Sequence, residues 1–243
     1  MPATASVAPA TALTAATLEA LRAIDTPSIC NAIELFDPER RGFGFTTRTM
    51  HCLRPDLPPI VGYARTVQVR AARASSRAAE AVRDQRFGYL DYLATPPGPT
   101  IAVVEDLDDA RAGFGSFWGE VNSNIHRALG CIGGVTNGSM RDLTVIAEGF
   151  QLLAGVVAPS HGHIHVVGFG GDVSVLGMAV RSGDLIHADR HGAVVIPHEI
   201  AARLPEAVAL VARREKLILD ACRARGASAA SISQAIAESA RVK

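Results

Sequence analysis

Two segments carry the densest chemistry in this 243-residue chain. One is Trp118-Gly119-Glu120-Val121-Asn122; the other is Gly133-Gly134-Val135-Thr136-Asn137-Gly138-Ser139-Met140-Arg141-Asp142. The second reads as a strand, a glycine-rich turn, then an arginine and a carboxylate entering a helix. Small residues let backbone amides approach a ligand closely. Arg141 offers a planar fork that matches a substrate carboxylate. Asp142 offers hard oxygens to a cation such as Mg²⁺. Together they could hold an α-keto acid on a metal. The residues alone also allow a plainer reading, a surface Arg-Asp pair after an Asn-Gly turn.

Three other clusters carry polar chemistry. On a strand, His161, His163 and His165 would share one face and could bind zinc or copper, line a substrate entry, or simply form a polar face. Asp106, Asp108 and Asp109 follow an apolar run; without the glycine and final glutamate of a calcium loop they read as a solvated turn. Arg70, Arg73, Arg77, Arg83 and Arg86 read as a basic helix face, solvated, in subunit contact or drawing in polycarboxylate substrates.

Composition closes several routes. Lys+Arg and Asp+Glu both number 24, so general polyanion binding is not the default and no nucleic-acid partner is expected. The lysines are Lys216, in a charged run, and Lys243, at the end. There is no Gly-Lys-Ser/Thr phosphate loop, and neither lysine suits a Schiff base, which needs a dry pocket. Cys30, Cys52, Cys131 and Cys222 lack metal-knuckle spacing. Cys30, Cys131 and Cys222 lie in apolar stretches and read as buried thiols, and all four as reduced core cysteines of a cytoplasmic protein. No apolar run is long enough to span a membrane. The first 13 residues read as a disordered tail with no targeting signal.

The elements that must position these residues follow from periodicity and breakers. Thr14 caps a helix to Ile24. Thr26-Pro27 starts another, to about Leu35. A loop at 37–59 leads to a strand at 60–69, a helix at 75–94 and a strand at 100–106. A helix at 118–129 precedes a strand at 131–135, a tight turn at Asn137-Gly138, a short helix from Asp142 to Gly149 and a strand at 152–159. Short strands with turns fill 161–196. A long helix at 198–224 precedes one capped by Ser228. The alternation to residue 159 predicts a mostly parallel, covered sheet with a hairpin-rich β portion beyond it.

Gly119-Glu120, twenty further residues and then Arg141-Asp142 resemble the RraA-like family. That family includes the class II 4-hydroxy-4-methyl-2-oxoglutarate/4-carboxy-4-hydroxy-2-oxoadipate aldolases and the regulators of ribonuclease activity. Supporting phrases are Thr26-Pro27-Ser28, Gly62-Tyr63-Ala64-Arg65-Thr66-Val67, Gly133-Gly134-Val135-Thr136-Asn137-Gly138, Ser182-Gly183-Asp184 and Gly192-Ala193-Val194-Val195-Ile196-Pro197. The resemblance runs from about residue 20 to residue 220 and implies one α/β/β/α swivelling-type domain over residues 14–243. It also implies a homotrimer or homohexamer with sites between subunits. Asp142 would ligate a divalent metal, Mg²⁺ or Mn²⁺, with Glu120 holding a water of its shell. Arg141 would contact the keto oxygen and carboxylate of a pyruvyl unit. Gly119 and the amides of Val121 and Asn122 would complete substrate binding. Glu215 would reach a neighbour's site from the C-terminal helix. Many members carry Asp where this chain has Glu120, and the extra methylene moves the carboxylate by about 1–1.5 Å.

The implied reaction is retro-aldol cleavage of a 4-hydroxy-2-oxo acid, releasing pyruvate, with oxaloacetate decarboxylation on the side. Its enolate needs an electron sink, and without a suitable lysine a metal Lewis acid is the common alternative. The rival readings are a non-catalytic regulator of the ribonuclease-regulator type and another metal-enolate reaction on a related acid.

Overall fold

The computed structural model describes residues 12–243. The expected tail lies outside these as far as residue 11; Leu13 donates its amide to the Tyr63 hydroxyl at 2.7 Å. In chain order the elements are α1 (Ala15–Arg22), α2 (Thr26–Ile33), β1 (His51–Cys52), β2 (Ile60–Arg70), α3 (Ala79–Leu93), β3 (Thr100–Asp106), β4 (Ser116–Trp118) and α4 (Glu120–Ala128). There follow β5 (Cys131–Met140), β6 (Gln151–Val157), β7 (His165–Phe169), β8 (Val173–Val175), β9 (Met178–Val180), β10 (Leu185–Asp189), β11 (Gly192–Ile196), α5 (Leu204–Arg223) and α6 (Ala229–Ser239).

The main sheet runs β1-β6-β5-β3-β2-β10-β11, with β4 on β5 and β7 on β2. Strands β2, β3, β5 and β6 are parallel to one another. Strands β1, β7 and β10 join antiparallel, so the fold is mixed α/β with a parallel centre. Strand β3 explains its own composition: Ala102 and Val104 face one core, with Tyr89, Leu93 and Trp118. Ile101 and Val103 face another, with the β8–β9 ribbon. A strand covered on both faces reads as a continuous apolar run. A third core holds α1, α2 and the start of α5 against β10 and β11.

Several local expectations need correction. Asn137-Gly138 is not a turn but lies inside β5. The Asn137 side chain binds the Asp106 main chain twice, accepting its amide at 2.8 Å and donating to its carbonyl at 2.9 Å. That amide imitates a strand neighbour where the β5–β6 register shifts. Residues 142–149 form turns, not a helix. Asp25, not Thr26, caps α2, accepting the Ser28 amide at 2.9 Å. Helix α3 begins at Ala79, so Arg70, Arg73 and Arg77 lie outside it and only Arg83 and Arg86 share it. Trp118 belongs to β4, fully buried. Gly134 makes room for it, since a Cβ there would lie 2.4 Å from the indole. Helix α5 starts at Leu204, after a single 3-10 turn.

Of the cysteines only Cys131 is buried, Cys30 and Cys52 are half-buried and Cys222 is exposed. In the acidic segment Asp109 is exposed, as a solvated turn requires, but Asp106 and Asp108 are not. Asp106 is buried and accepts the Gly113 and Asp108 amides at 2.7 and 3.0 Å. Asp108 accepts the amides of Ala71 and Ala72.

Candidate active site

Strand β4 and the end of β5 lie side by side, with Trp118 paired to Met140. The Arg141 amide continues the pairing by donating to the Trp118 carbonyl at 3.0 Å. This brings Arg141-Asp142 to the start of α4, although Asp142 lies 22 positions after Glu120. Gly119 offers α4 no side-chain cap. Asp142 supplies one from a distance, its Oδ2 accepting the Glu120 amide at 3.2 Å. Its Oδ1 has no donor among the described residues. Gly119 is needed for this approach, because a Cβ there would stand 2.6 Å from Asp142 Oδ2. Asp142 itself adopts a positive φ of 57°, in the small left-handed region that few side chains enter and aspartate enters more readily than most.

Arg141 Nε lies 3.6 Å from Asp142 Oδ2, and the two side chains are 35% and 36% exposed. Both face an open cavity of about 610 Å³ lined also by Arg86, Gly119, Glu120, Val121, Asn122 and His161. The amides of Val121 and Asn122 have no acceptor among the described residues. With the helix dipole they favour an anion in front of α4. The structure therefore gathers Gly119, Glu120, Val121, Asn122, Arg141 and Asp142 around one cavity. Glu215 is exposed on α5 and is not among the residues lining this cavity in its own chain.

Behind α4 the support is buried and neutral. His126 points Nδ1 at the Asn122 carbonyl at 2.7 Å and Nε2 at the Tyr89 hydroxyl at 2.8 Å. A carbonyl only accepts, so Nδ1 carries the proton and Tyr89 donates to Nε2. Burial pulls the His126 imidazole down to about 4, against the opposing pull of the Asn122 hydrogen bond. The Asn122 side chain donates to the Phe117 carbonyl at 2.5 Å and accepts from Arg86 at 3.3 Å.

The three histidines do not share a strand face. His161 and His163 lie before β7, and only His165 is in it. Among the described residues no three His, Cys, Asp or Glu side chains gather to hold an ion. Nor is any described helix long and apolar enough to cross a membrane. Sequence reasoning missed Ser116, Phe117 and Ile164 as cavity residues. It named Arg86 for drawing in carboxylate substrates and His161 for lining a substrate entry, without joining them to this cavity. They come from separate elements, and only the fold joins them.

The sequence matches the family described as Aldolase/RraA, RraA-like, over residues 26–195. The chain belongs to the RraA-like family. Its matched span includes every residue gathered above. No curated protein sequence matches the chain. Among solved structures, an uncharacterized protein from Pseudomonas syringae pv. tomato superposes with a TM-score of 0.70 at 20% identity, covering 97% of this chain and 100% of that one. Streptomyces coelicolor RraAS2, described as an unusual member of the RNase ES inhibitor RraA protein family, gives a TM-score of 0.65 at 21% identity, covering 86% and 98%. At these identities the likeness is one of RraA-like fold.

Proposed function

We propose that this RraA-like protein is a divalent-metal-dependent carbon–carbon lyase. It would cleave a 4-hydroxy-2-oxo acid to pyruvate and decarboxylate oxaloacetate as a side reaction. The observation that carries this reading is the half-used carboxylate of Asp142. One oxygen is fixed by the Glu120 amide and the other is unpaired, on a cavity wall beside Arg141. The donors fit a hard, largely hydrated ion, Mg²⁺ or Mn²⁺: one carboxylate oxygen for direct contact and a second carboxylate, Glu120, nearby. When bound, such an ion supplies the Lewis acid for an enolate.

The chain's own residues would do the rest. The Val121 and Asn122 amides receive the substrate carboxylate, and Arg141 faces the pyruvyl oxygen. A water held by Glu120 passes the C4 hydroxyl proton to that carboxylate, the C3–C4 bond breaks, and its electron pair moves toward that oxygen. Arg141 stabilises the charge, a contribution of about 3–4 kcal/mol for one well-placed donor. C3 then takes the proton back from Glu120 through the water, giving pyruvate and a carbonyl product. A homotrimer or homohexamer would bring Glu215 of a neighbouring subunit toward the site.

The test couples pyruvate release to lactate dehydrogenase, with oxaloacetate and a panel of 4-hydroxy-2-oxo acids in Mg²⁺ or Mn²⁺, then in EDTA. Release that EDTA stops is the expected result. No release from any substrate would sink the lyase reading and favour a non-catalytic regulator, in line with Streptomyces RraAS2, a member of the RNase ES inhibitor RraA protein family.

A further inference from the structure

The first turn of α4 offers the cavity two amides, those of Val121 and Asn122, and its cap does little to aim them. Gly119 brings no side chain, and Val121 is exposed. Glu120 is held by Asp142 at its amide and by Ser123 Oγ at its carbonyl. Asn122 is held by other partners. Its side chain donates to the Phe117 carbonyl and accepts from Arg86. Its carbonyl takes a donor from His126 Nδ1, besides the amide one turn on that an α-helix supplies.

His126 itself has no freedom to move. It is buried, and the rings of Tyr89, Phe117 and Trp118 stand 5.6, 5.7 and 4.7 Å from its own. Close packing of that kind fixes the plane of the imidazole. The Tyr89 hydroxyl donates to Nε2, which leaves the proton on Nδ1. Donor and acceptor therefore follow one direction, from Tyr89 in the core through His126 to Asn122 on the cavity wall.

From this we infer that His126 is a positioning residue for the substrate carboxylate. With the side chain and the carbonyl of Asn122 both held, the residue cannot rotate, and its amide keeps its direction at the helix start. This rests on the lyase reading, in which the Val121 and Asn122 amides receive that carboxylate. The carboxylate is held in the ground state and the transition state alike, so the brace acts on binding and not on the chemical step.

Two replacements divide the ring. Asn carries its amide nitrogen as many bonds from the backbone as Nδ1, and Gln carries its amide as far out as Nε2. His126→Asn keeps a donor for the Asn122 carbonyl and loses Tyr89, whereas His126→Gln keeps a partner for Tyr89 and leaves that carbonyl without its donor. Calorimetry with pyruvate in Mg²⁺ reads binding, and kinetics with oxaloacetate separate KM from kcat. His126→Gln should weaken pyruvate binding about tenfold and raise KM to match, with kcat within about threefold. His126→Asn should restore both to within about twofold of the parent. Tyr89→Phe removes one oxygen and serves if the other variants do not fold; it should weaken pyruvate binding about threefold. Equal losses in the Asn and Gln variants, parent affinity in every folded variant, or a fall in kcat at constant KM overturns the positioning role. Where the parent binds pyruvate but turns over no substrate, the lyase reading falls and the affinities still decide the brace. A parent that binds no 2-oxo acid overturns both.

Discussion

Two carboxylates in this fold each close the first turn of a helix distant in sequence. Asp189 Oδ2 accepts the Thr26 amide of α2 at 2.9 Å, as Asp142 Oδ2 accepts that of Glu120. The difference lies in the second oxygen. Asp189 Oδ1 takes the His191 amide at 2.7 Å and faces its Nδ1 at 3.1 Å, and the side chain is 7% exposed. Beneath it, buried His187 meets the Thr26 hydroxyl and the Leu21 and Ile24 carbonyls. That network ties α1 and α2 to the β10–β11 hairpin and leaves nothing for a ligand. Asp142 stops halfway and opens on a cavity. The same capping device is structural where its valences are filled and a candidate site where one is kept free.

The contrast breaks first at the site. Arg141→Ala and Asp142→Ala should each cut pyruvate release about 10³-fold; Arg141→Ala should keep the parent's melting temperature within about 2 °C, and Asp142→Ala, which also removes the α4 cap, should lose about 2–4 °C. Full turnover in either folded variant would falsify the assignment. Gly119→Ala, which drives a methyl into Asp142 Oδ2, should lose activity nearly as far. At the other carboxylate the effects reverse. Asp189→Ala should cost about 2–4 kcal/mol in urea unfolding, yet leave turnover per folded molecule unchanged. A stable, inactive Asp189→Ala would undo the comparison.

Acid sharpens it further. Burial holds His187, like His126, below the ordinary histidine value, partly offset by its hydrogen bonds to Leu21 and Ile24. Such groups stabilise the fold fully above about pH 6.5, where the unfolded chain is also neutral. The stability is lost as pH falls toward the folded value. Burial alone would raise Asp189, but the Thr26 and His191 amides outweigh it and hold it low. Its contribution is also lost on the acid side. His126 taking up a proton on unfolding gives a slope of about 1 kcal/mol per pH unit near pH 5.5, and His187 adds to it in the same direction. Urea unfolding at several pH values would measure it, and a flat profile would mean that both rings are charged in the folded protein. The smallest loss among the site variants is expected for Glu120→Gln, about 10²-fold in kcat, because the amide can still hold the water but cannot take its proton.

Much of this was legible in the residues. Strand β3, the Ser228 cap and the breaker after Leu93 were readable because one local rule decided each of them. The Gly119-Glu120 and Arg141-Asp142 pairs were recognisable by spacing. Where reading failed, a distant partner had overruled the local signal. Asn137-Gly138 promises a turn until Asp106 occupies the Asn137 side chain from another strand. Asp106 and Asp108 look solvated until the amides of Gly113, Ala71 and Ala72 come to them. Arg86 and His161 could not be joined to one cavity without the packing of α3 and the segment before β7.

Asp142 takes a left-handed backbone, φ 57°, that aspartate tolerates better than most side chains, and its carboxylate closes the first turn of α4. Folding and chemistry therefore make the same demand on one residue. Selection for heat resistance alone would keep that carboxylate for its cap, and a descendant that had lost the reaction could carry this corner of the site unchanged for the sake of its helix.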